Sequence, residues 1–260
     1  MRLDIEERIG TGGFGRVYAA RVVGEPRRRA IALKKARVED SIENPMLRYE
    51  ACAMLMLKGH PGIPEVYAWG RSQIFQFLAL ELLGKSVIHL VHSSPGLTLR
   101  NLVALACQMM DAIQHVHSHG IAHCEIKPQN FLLGIDGHQG HVKLIDFGLA
   151  WNFRNTLTQQ HIPEIIMRSH VGTRSHMSLN IHLHYNPSRR DDMESLAYTI
   201  ADLLCGGLPW SKLGSVDSFA EKQAWSGPAL CAGYPAVFGE FVVYARFLGF
   251  QEEPDYKLWR

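Results

Sequence analysis

The apolar residues of this chain change their period once, near residues 81–85, and that change limits the folds open to it. Up to residue 80 the runs are short, rich in β-branched and aromatic residues, and broken by glycine. "IGTGGFGRVYAARVV", "RRRAIALKKA", "EVYAW" and "FQFLALELL" predict strands, with "GEPRRR" as a hairpin loop whose "PRRR" is a solvated tip. One helix interrupts them over "NPMLRYEACAMLMLKG", where Leu47, Ala51, Met54 and Leu55 recur at helical spacing. After "LGKS" the pattern turns helical. "LRNLVALACQMMDAIQHVHSHG" carries Leu102, Leu105, Met109, Ile113 and Val116, and Gly120 is its C-terminal stop. Short strands "NFLLG" and "HVKLIDFG" follow, then helices and loops. The expected architecture is α+β: a small antiparallel sheet with one helix (1–80), a connection (81–85) and a larger, mainly helical part (86–260).

Composition narrows the function classes. The chain has 260 residues, 47% of them hydrophobic, enough for one large domain or two lobes around a real core. A formal charge of +2 lacks the strongly basic balance of a nucleic-acid binder, so no nucleic-acid partner is expected. The start, "MRLDIEERIG", lacks the apolar centre of a signal peptide, and no apolar run reaches the ~20 residues that span a bilayer. A soluble protein of the cytoplasm or nucleus, without membrane attachment, is expected. The five cysteines are odd in number and never spaced C-x-x-C, against both a disulfide framework and a zinc site; four are expected as small buried apolar residues. In "HVHSH" alternate residues diverge on a helix, leaving only His115 and His119 on one face, too few for zinc; His182 and His184 are read no further.

Gly10, Gly12 and Gly15 spell G-x-G-x-x-G, with Phe14 at the tip and Val17 two residues beyond. A dinucleotide fold needs a helix after the glycines, whereas "RVYAARVV" is strand-like; glycines between two strands leave backbone N–H groups free to approach phosphate. Lys34, expected at the end of the third strand, could reach the α- and β-phosphates, and Glu50 on the following helix could hold it by an ion pair. Lys35 competes for that role, and Lys34 is preferred because it completes "IALK". Asp146 interrupts the apolar run "LIDFGLA", where a carboxylate costs several kcal/mol unless it meets a cation, so it reads as a magnesium ligand. Asn130 supplies a second oxygen ligand and Lys127 a charge for the γ-phosphate.

With these pieces in order, the chain resembles a protein kinase, and in particular the casein kinase I family. "GIPEVYAWG", "LELLGKS", "KPQNFLLG", "IDFGLA", "QHIP", "GTRSHMSLNIHL", "SRRDDMESLAY", "LPW", "LCAGYP" and "EPDYKLWR" span nearly the whole chain in family order, with "SLN" in place of the A-P-E of other kinases. The resemblance implies a two-lobed kinase fold that binds ATP and Mg2+ in its cleft and phosphorylates Ser or Thr of a protein substrate, acting as a monomer. Ile9, Gly10, Thr11, Gly12, Gly15, Val17, Ala32, Lys34 and Glu50 would line the ATP site, with Leu80 as gatekeeper and the hinge bonding adenine at Glu81 and Leu83. Asp192 would brace the catalytic loop and His123 the loop around Asp146. Thr173 would touch the catalytic carboxylate, and no regulatory tail is expected after "EPDYKLWR".

The departures decide what is expected of activity. The family's H-R-D is His123-Cys124-Glu125 here, and glutamate carries the carboxylate ~1.5 Å further from the backbone than aspartate. A misplacement of ~1 Å costs on the order of 10²-fold, so from ~1–100 s⁻¹ turnover is expected near ~0.01–1 s⁻¹. The alternative is a pseudokinase, a nucleotide-binding scaffold or allosteric module without turnover. A small-molecule phosphotransferase is disfavoured by the substrate-facing "GTRSHMSLN". Cys124 replaces the arginine that would pair with a phosphate, so phosphorylation at Thr156, Thr158 or Ser169 is not expected to activate. Arg174 stands one place forward of the family's arginine, which in an extended segment turns it to the opposite face. Only Lys212 and Lys222 remain of a lysine-rich stretch, weakening a pocket for primed or acidic substrates; Arg189 and Arg190 remain, or pair with neighbouring acids.

Overall fold

A computed structural model describes residues 2–12, 15–24, 29–38, 46–91, 93, 96–135, 137 and 140–260. Phe14 and the 25–28 stretch of the expected hairpin tip lie outside them. Five strands, β1 (Leu3–Gly12), β2 (Gly15–Val22), β3 (Ala30–Arg37), β4 (Val66–Arg71) and β5 (Phe75–Glu81), form one antiparallel sheet in the order β1-β2-β3-β5-β4. Lys34 lies inside β3 rather than at its end. It pairs with Val17 on one side and Leu78 on the other, and the ladder continues to Arg37 opposite Phe75. Helix α1 (Met46–Met56) buries Leu47, Ala51 and Met54, as their spacing predicts, but Leu55 is 51% exposed. One residue past Met54 is ~100° further round the helix, which carries Leu55 off the packed face.

The remaining helices among the described residues are α2 (Ile88–Val91), α3 (Leu99–Ser118), α4 (Leu179–His182), α5 (Arg189–Cys205), α6 (Ser215–Ala224), α7 (Gly227–Leu230) and α8 (Ala236–Phe247), with the short pairs β7 (Phe131–Leu133)–β8 (Val142–Leu144) and β6 (Ile121–Ala122)–β9 (Trp151–Asn152). All five apolar positions expected of α3 are buried. The Thr98 hydroxyl caps its start by accepting from Asn101 N, and Gly120, at φ 75°, turns the chain out of it in a conformation glycine tolerates best. Helix α5 is buried along nearly its whole length and forms the centre of the large core with Met109, Ile113, Phe131 and Trp210. Ala53, Met54 and Leu57, at the C-terminal end of α1, join that same core, while Leu47 and Ala51 pack with Leu78 of the sheet. Helix α1 thus ties the sheet to the helical part. The cysteine expectation fails: Cys231 is fully buried, Cys107 and Cys124 are half-buried, Cys52 and Cys205 are exposed, and all five are free thiols. Cysteine tolerates a surface position where no partner thiol lies within bonding distance.

Candidate active site

The sheet, α1 and the turn after β8 meet at one ammonium. Lys34 Nζ donates to Glu50 Oε1 and Oε2 at 3.0 and 2.8 Å and to Asp146 Oδ1 at 2.8 Å. Burial acts to lower the Lys34 pKa, but the Glu50 and Asp146 carboxylates outweigh it and the net shift is upward, so the lysine stays charged. Lys35, the competing residue, points away and lies 3.9 Å from the centre of the Phe75 ring. Alternation along β3 separates the two lysines onto opposite faces.

Asp146 occupies the left-handed region at φ 68°, ψ 64°, and Cys124 does the same at φ 67°; non-glycine residues there carry about 1–2 kcal/mol of strain. Both kinks lie in the same site. Above it, Gly12 pairs with Gly15 across the β1–β2 hairpin. The glycines differ in why they are needed. At Gly15, φ is 133° and a Cβ would meet Lys35 O at 2.4 Å, so the sheet itself requires glycine there. A Cβ on Gly12 would meet nothing within 4 Å and one on Gly10 only Val17 at ordinary distance, so those two leave the hairpin's surface open. Ile9 and Thr11 are exposed on the same strand, and Ala32 is buried opposite Leu80 in the β3–β5 ladder. Glu81 closes β5: its N–H donates to Glu65 O, and its carboxylate accepts from Lys143 Nζ at 2.9 Å and Glu65 N at 3.0 Å. Among the described residues nothing bonds the Leu83 N–H, while Gly84 N is tied to Leu133 O.

The loop 123–130 is held from below by one carboxylate. Asp192, on α5, accepts from His123 N (2.6 Å) and Cys124 N (2.8 Å), and its Oδ2 also meets His117 Nε2 at 2.9 Å. His123 is buried and depressed in pKa by that burial, hence neutral. Its Nε2 bonds Ile145 O and its Nδ1 accepts from Glu125 N, which joins the loop to the residue before Asp146. Asn130 donates through Nδ2 to Glu125 O, and its N and O are tied to Lys127 and Ile145. Glu125 Oε1 accepts from Lys127 Nζ at 2.8 Å and from Thr173 Oγ1 at 2.7 Å. Thr173 reaches it because Gly172 packs backbone to backbone against residue 124, where any Cβ would stand 2.5 Å from Cys124 O.

The family model described as Protein kinase domain matches residues 3–225. The chain belongs to the protein kinase family. Its five-stranded sheet and helical remainder are that fold, and kinase domains use ATP with magnesium to modify protein substrates. The structure gathers the expected residues of this kinase into two hydrogen-bonded clusters, Lys34–Glu50–Asp146 and Glu125–Lys127–Thr173–Asn130, and Ile145, next to Asp146, joins them by donating its N–H to Asn130 O.

Three expectations about the substrate-facing side change. Residues 174–176 form a turn, with His176 N and Met177 N both donating to Thr173 O, so strand parity does not set the direction of Arg174, which is exposed. Lys222 is fully buried and donates to Arg174 O and Met177 O, so it does not contribute to a solvent-facing basic pocket. Arg189 and Arg190 are buried, and their main partners are distant in sequence rather than the neighbouring acids: Arg189 Nη2 donates to Gln251 O, and Arg190 Nη2 donates to Glu164 at 2.5 Å. Cys124 Sγ sits 3.5 Å from Ala122 O, and burial pushes its thiol well above the usual range, which leaves it unreactive.

Sequence reasoning passes over His117 and Tyr49. His117 lies on the opposite side of α3 from His115 and His119, bridging Asp192 and the Tyr256 hydroxyl; its position on the apolar stripe with Ile113 and Val116 is the signal that could have found it. Tyr49 donates its hydroxyl to Ala150 O at 2.8 Å and so fastens α1, beside Glu50, to the segment following Asp146. Tyr49→Phe is expected to lower phosphate transfer by about 3- to 10-fold while costing only ~0.5–1.5 kcal/mol of stability, measured by initial rates beside thermal melting. A pH prediction follows from His182. Burial, and then the Lys222 ammonium, lower it from 6.5 to about 4. A folded pKa below the unfolded one means stability present above pH ~6.5 and lost as pH falls towards ~4. The stability difference between the natural protein and His182→Phe should therefore shift against the natural protein across that window, read by urea titration at each pH.

Proposed function

We propose that this kinase is a serine/threonine protein kinase of the casein kinase I type that transfers the γ-phosphoryl group of ATP to protein hydroxyls at a lowered rate. The observation that carries the reading is the placement of Glu125: despite its extra methylene, Oε1 meets both Lys127 and Thr173 at hydrogen-bond distance. In this reading Glu125 takes the proton of the substrate hydroxyl as that oxygen bonds the γ-phosphorus and the bond to the β-phosphate oxygen breaks, releasing ADP. Lys34, held by Glu50, orients the α- and β-phosphates, and Lys127 faces the transferred group. The donor set suits a hard divalent cation: Asp146 keeps Oδ2 and Asn130 keeps Oδ1 outside the hydrogen bonds described, both oxygen ligands of the preferred kind. Magnesium supplies charge neutralisation on the phosphates.

The same geometry favours one second reading. Glu125 Oε1 is already engaged by an ammonium and a hydroxyl, as a silenced nucleotide-binding pseudokinase would tolerate. Incubation with γ-labelled ATP, magnesium and casein, beside an Asp146→Ala control, separates the two. Label on serine or threonine, absent from the control, supports the kinase. Magnesium-dependent ATP binding without any label would replace it with the pseudokinase.

A further inference from the structure

Lys222 is fully buried on α6, and its three N–H donors meet three acceptors of the substrate-facing segment: Arg174 O at 2.8 Å, Met177 O at 2.6 Å and His182 Nε2 at 3.2 Å. The faces of Tyr198 and Trp210 lie 5.1 and 5.8 Å from the same ammonium. An ammonium in such a place costs free energy unless each proton is bonded, and here each is. The segment needs these bonds as much as the lysine does. Residues 174–176 are a turn rather than a helix or strand, so their carbonyls lack ladder partners and are satisfied from below. Thr173 O accepts from His176 N and Met177 N, Ser175 O from Trp210 Nε1 at 2.8 Å, and the other two named carbonyls from Lys222.

The far side of the strut is fixed as well. Arg246 on α8 donates through Nη2 to Lys222 O, through Nη1 to Trp225 O and through Nε to the Tyr198 hydroxyl. Tyr198 in turn donates to Glu194 Oε1, which accepts from Leu179 N at the start of α4. The turn thus hangs between α6 and α4, and the residue leading into it is Thr173, whose hydroxyl lies between Lys127 Nζ and Glu125 Oε1 at 2.8 and 2.7 Å.

We infer that Lys222 is a positioning residue for phosphate transfer: it sets the 174–182 segment, and through Arg174 the placement of Thr173 against Glu125. The sequence resemblance alone would put this lysine in an anion pocket; the geometry turns it inward. The activity arm of the test rests on the kinase reading, whereas the exchange arm does not.

The experiment compares the natural protein with Lys222→Met and His182→Phe, each as the full chain, by hydrogen exchange and by casein phosphorylation. In Lys222→Met, amide exchange over 174–183 is expected to rise by about tenfold or more while β1–β5 keep their protection. Where the natural protein labels casein, kcat/KM for casein should fall by about 10²-fold with the KM for ATP changed less than about twofold, a split that general destabilisation would not give. His182→Phe, which removes one of the three acceptors and leaves the ammonium, should show the same pattern at about threefold in exchange, and it decides the matter if Lys222→Met does not fold. Raised exchange with no label from any form supports the positioning role and refutes the kinase reading instead. Exchange over 174–183 unchanged in the folded variants, or a loss of ATP binding equal to the loss of transfer, overturns the inference.

Discussion

Lys34→Met is expected to abolish measurable phosphate transfer and to cost the fold about 3–5 kcal/mol, because it leaves a buried carboxylate without its cation. Glu50 is 1% exposed and both of its oxygens accept from Lys34 Nζ. Burial pushes the Glu50 carboxyl upward and only the lysine opposes that push, so in the variant Glu50 is expected to take up a proton rather than remain an isolated anion. Two effects are mixed in the single variant, and a second substitution separates them. In Lys34→Met/Glu50→Leu the stranded group is gone and most of the lost stability should return, since apolar residues commonly replace a buried ion pair at little cost. Transfer should not return, because the charge that orients the phosphates is still missing. Denaturant unfolding of both variants beside label incorporation reads the two effects separately. A double variant as unstable as the single one would show that the pair contributes packing rather than charge compensation; activity in either variant would remove Lys34 from the proposed site.

Glu125→Asp is expected to raise transfer by about 10- to 100-fold, with the KM for ATP unaltered. The natural glutamate reaches Thr173 and Lys127 by virtue of a side chain ~1.5 Å longer than aspartate's, and one of its oxygens meets both partners. Shortening it withdraws that oxygen and leaves the flexible Lys127 to follow. The carboxylate is then less engaged by its own protein and better able to accept a proton from a substrate hydroxyl. Glu125→Gln, which keeps the length and removes the basicity, should fall to the level of the Asp146→Ala control. Initial rates at saturating casein across the natural protein and these variants decide. If Glu125→Asp is slower than the natural protein, Thr173 and Lys127 are fitted to the glutamate, and the chain has adapted its loop to the longer residue rather than lost efficiency through it.

What could be read in advance follows from how local each signal is. The amphipathic stripe of α3 is legible because Leu102, Leu105, Met109, Ile113 and Val116 keep a single period over fifteen residues, and the helix is followed by a glycine that can adopt positive φ. Lys34 was separable from Lys35 because it completes "IALK", and the structure supplies the physical reason, since alternation along the strand turns the two lysines to opposite faces. Leu55 failed because a position at the edge of an apolar arc is decided by what packs there, which a period does not encode. The exposed cysteines failed for a similar reason: burial of a small thiol is a matter of neighbours rather than of residue type.

The residues of the site itself divide the same way. The sequence by itself determined the α+β class, the order of the glycine hairpin, Lys34, Glu50, the 123–130 loop and Asp146, and the substitution of Glu125 and Cys124 within it, because these are statements about residue type and spacing. The resemblance already put Asp192 behind the catalytic loop; only the tertiary structure decided that the same carboxylate also holds His117, that Tyr49 fastens α1 to Ala150, and that Lys222 faces inward onto Arg174 and Met177. Each of those bonds joins residues between 45 and 101 positions apart in the chain. A lysine's sequence neighbours do not reveal whether its ammonium will face water or three buried acceptors; the packing of α6 against the turn does, because burial makes every unbonded proton expensive.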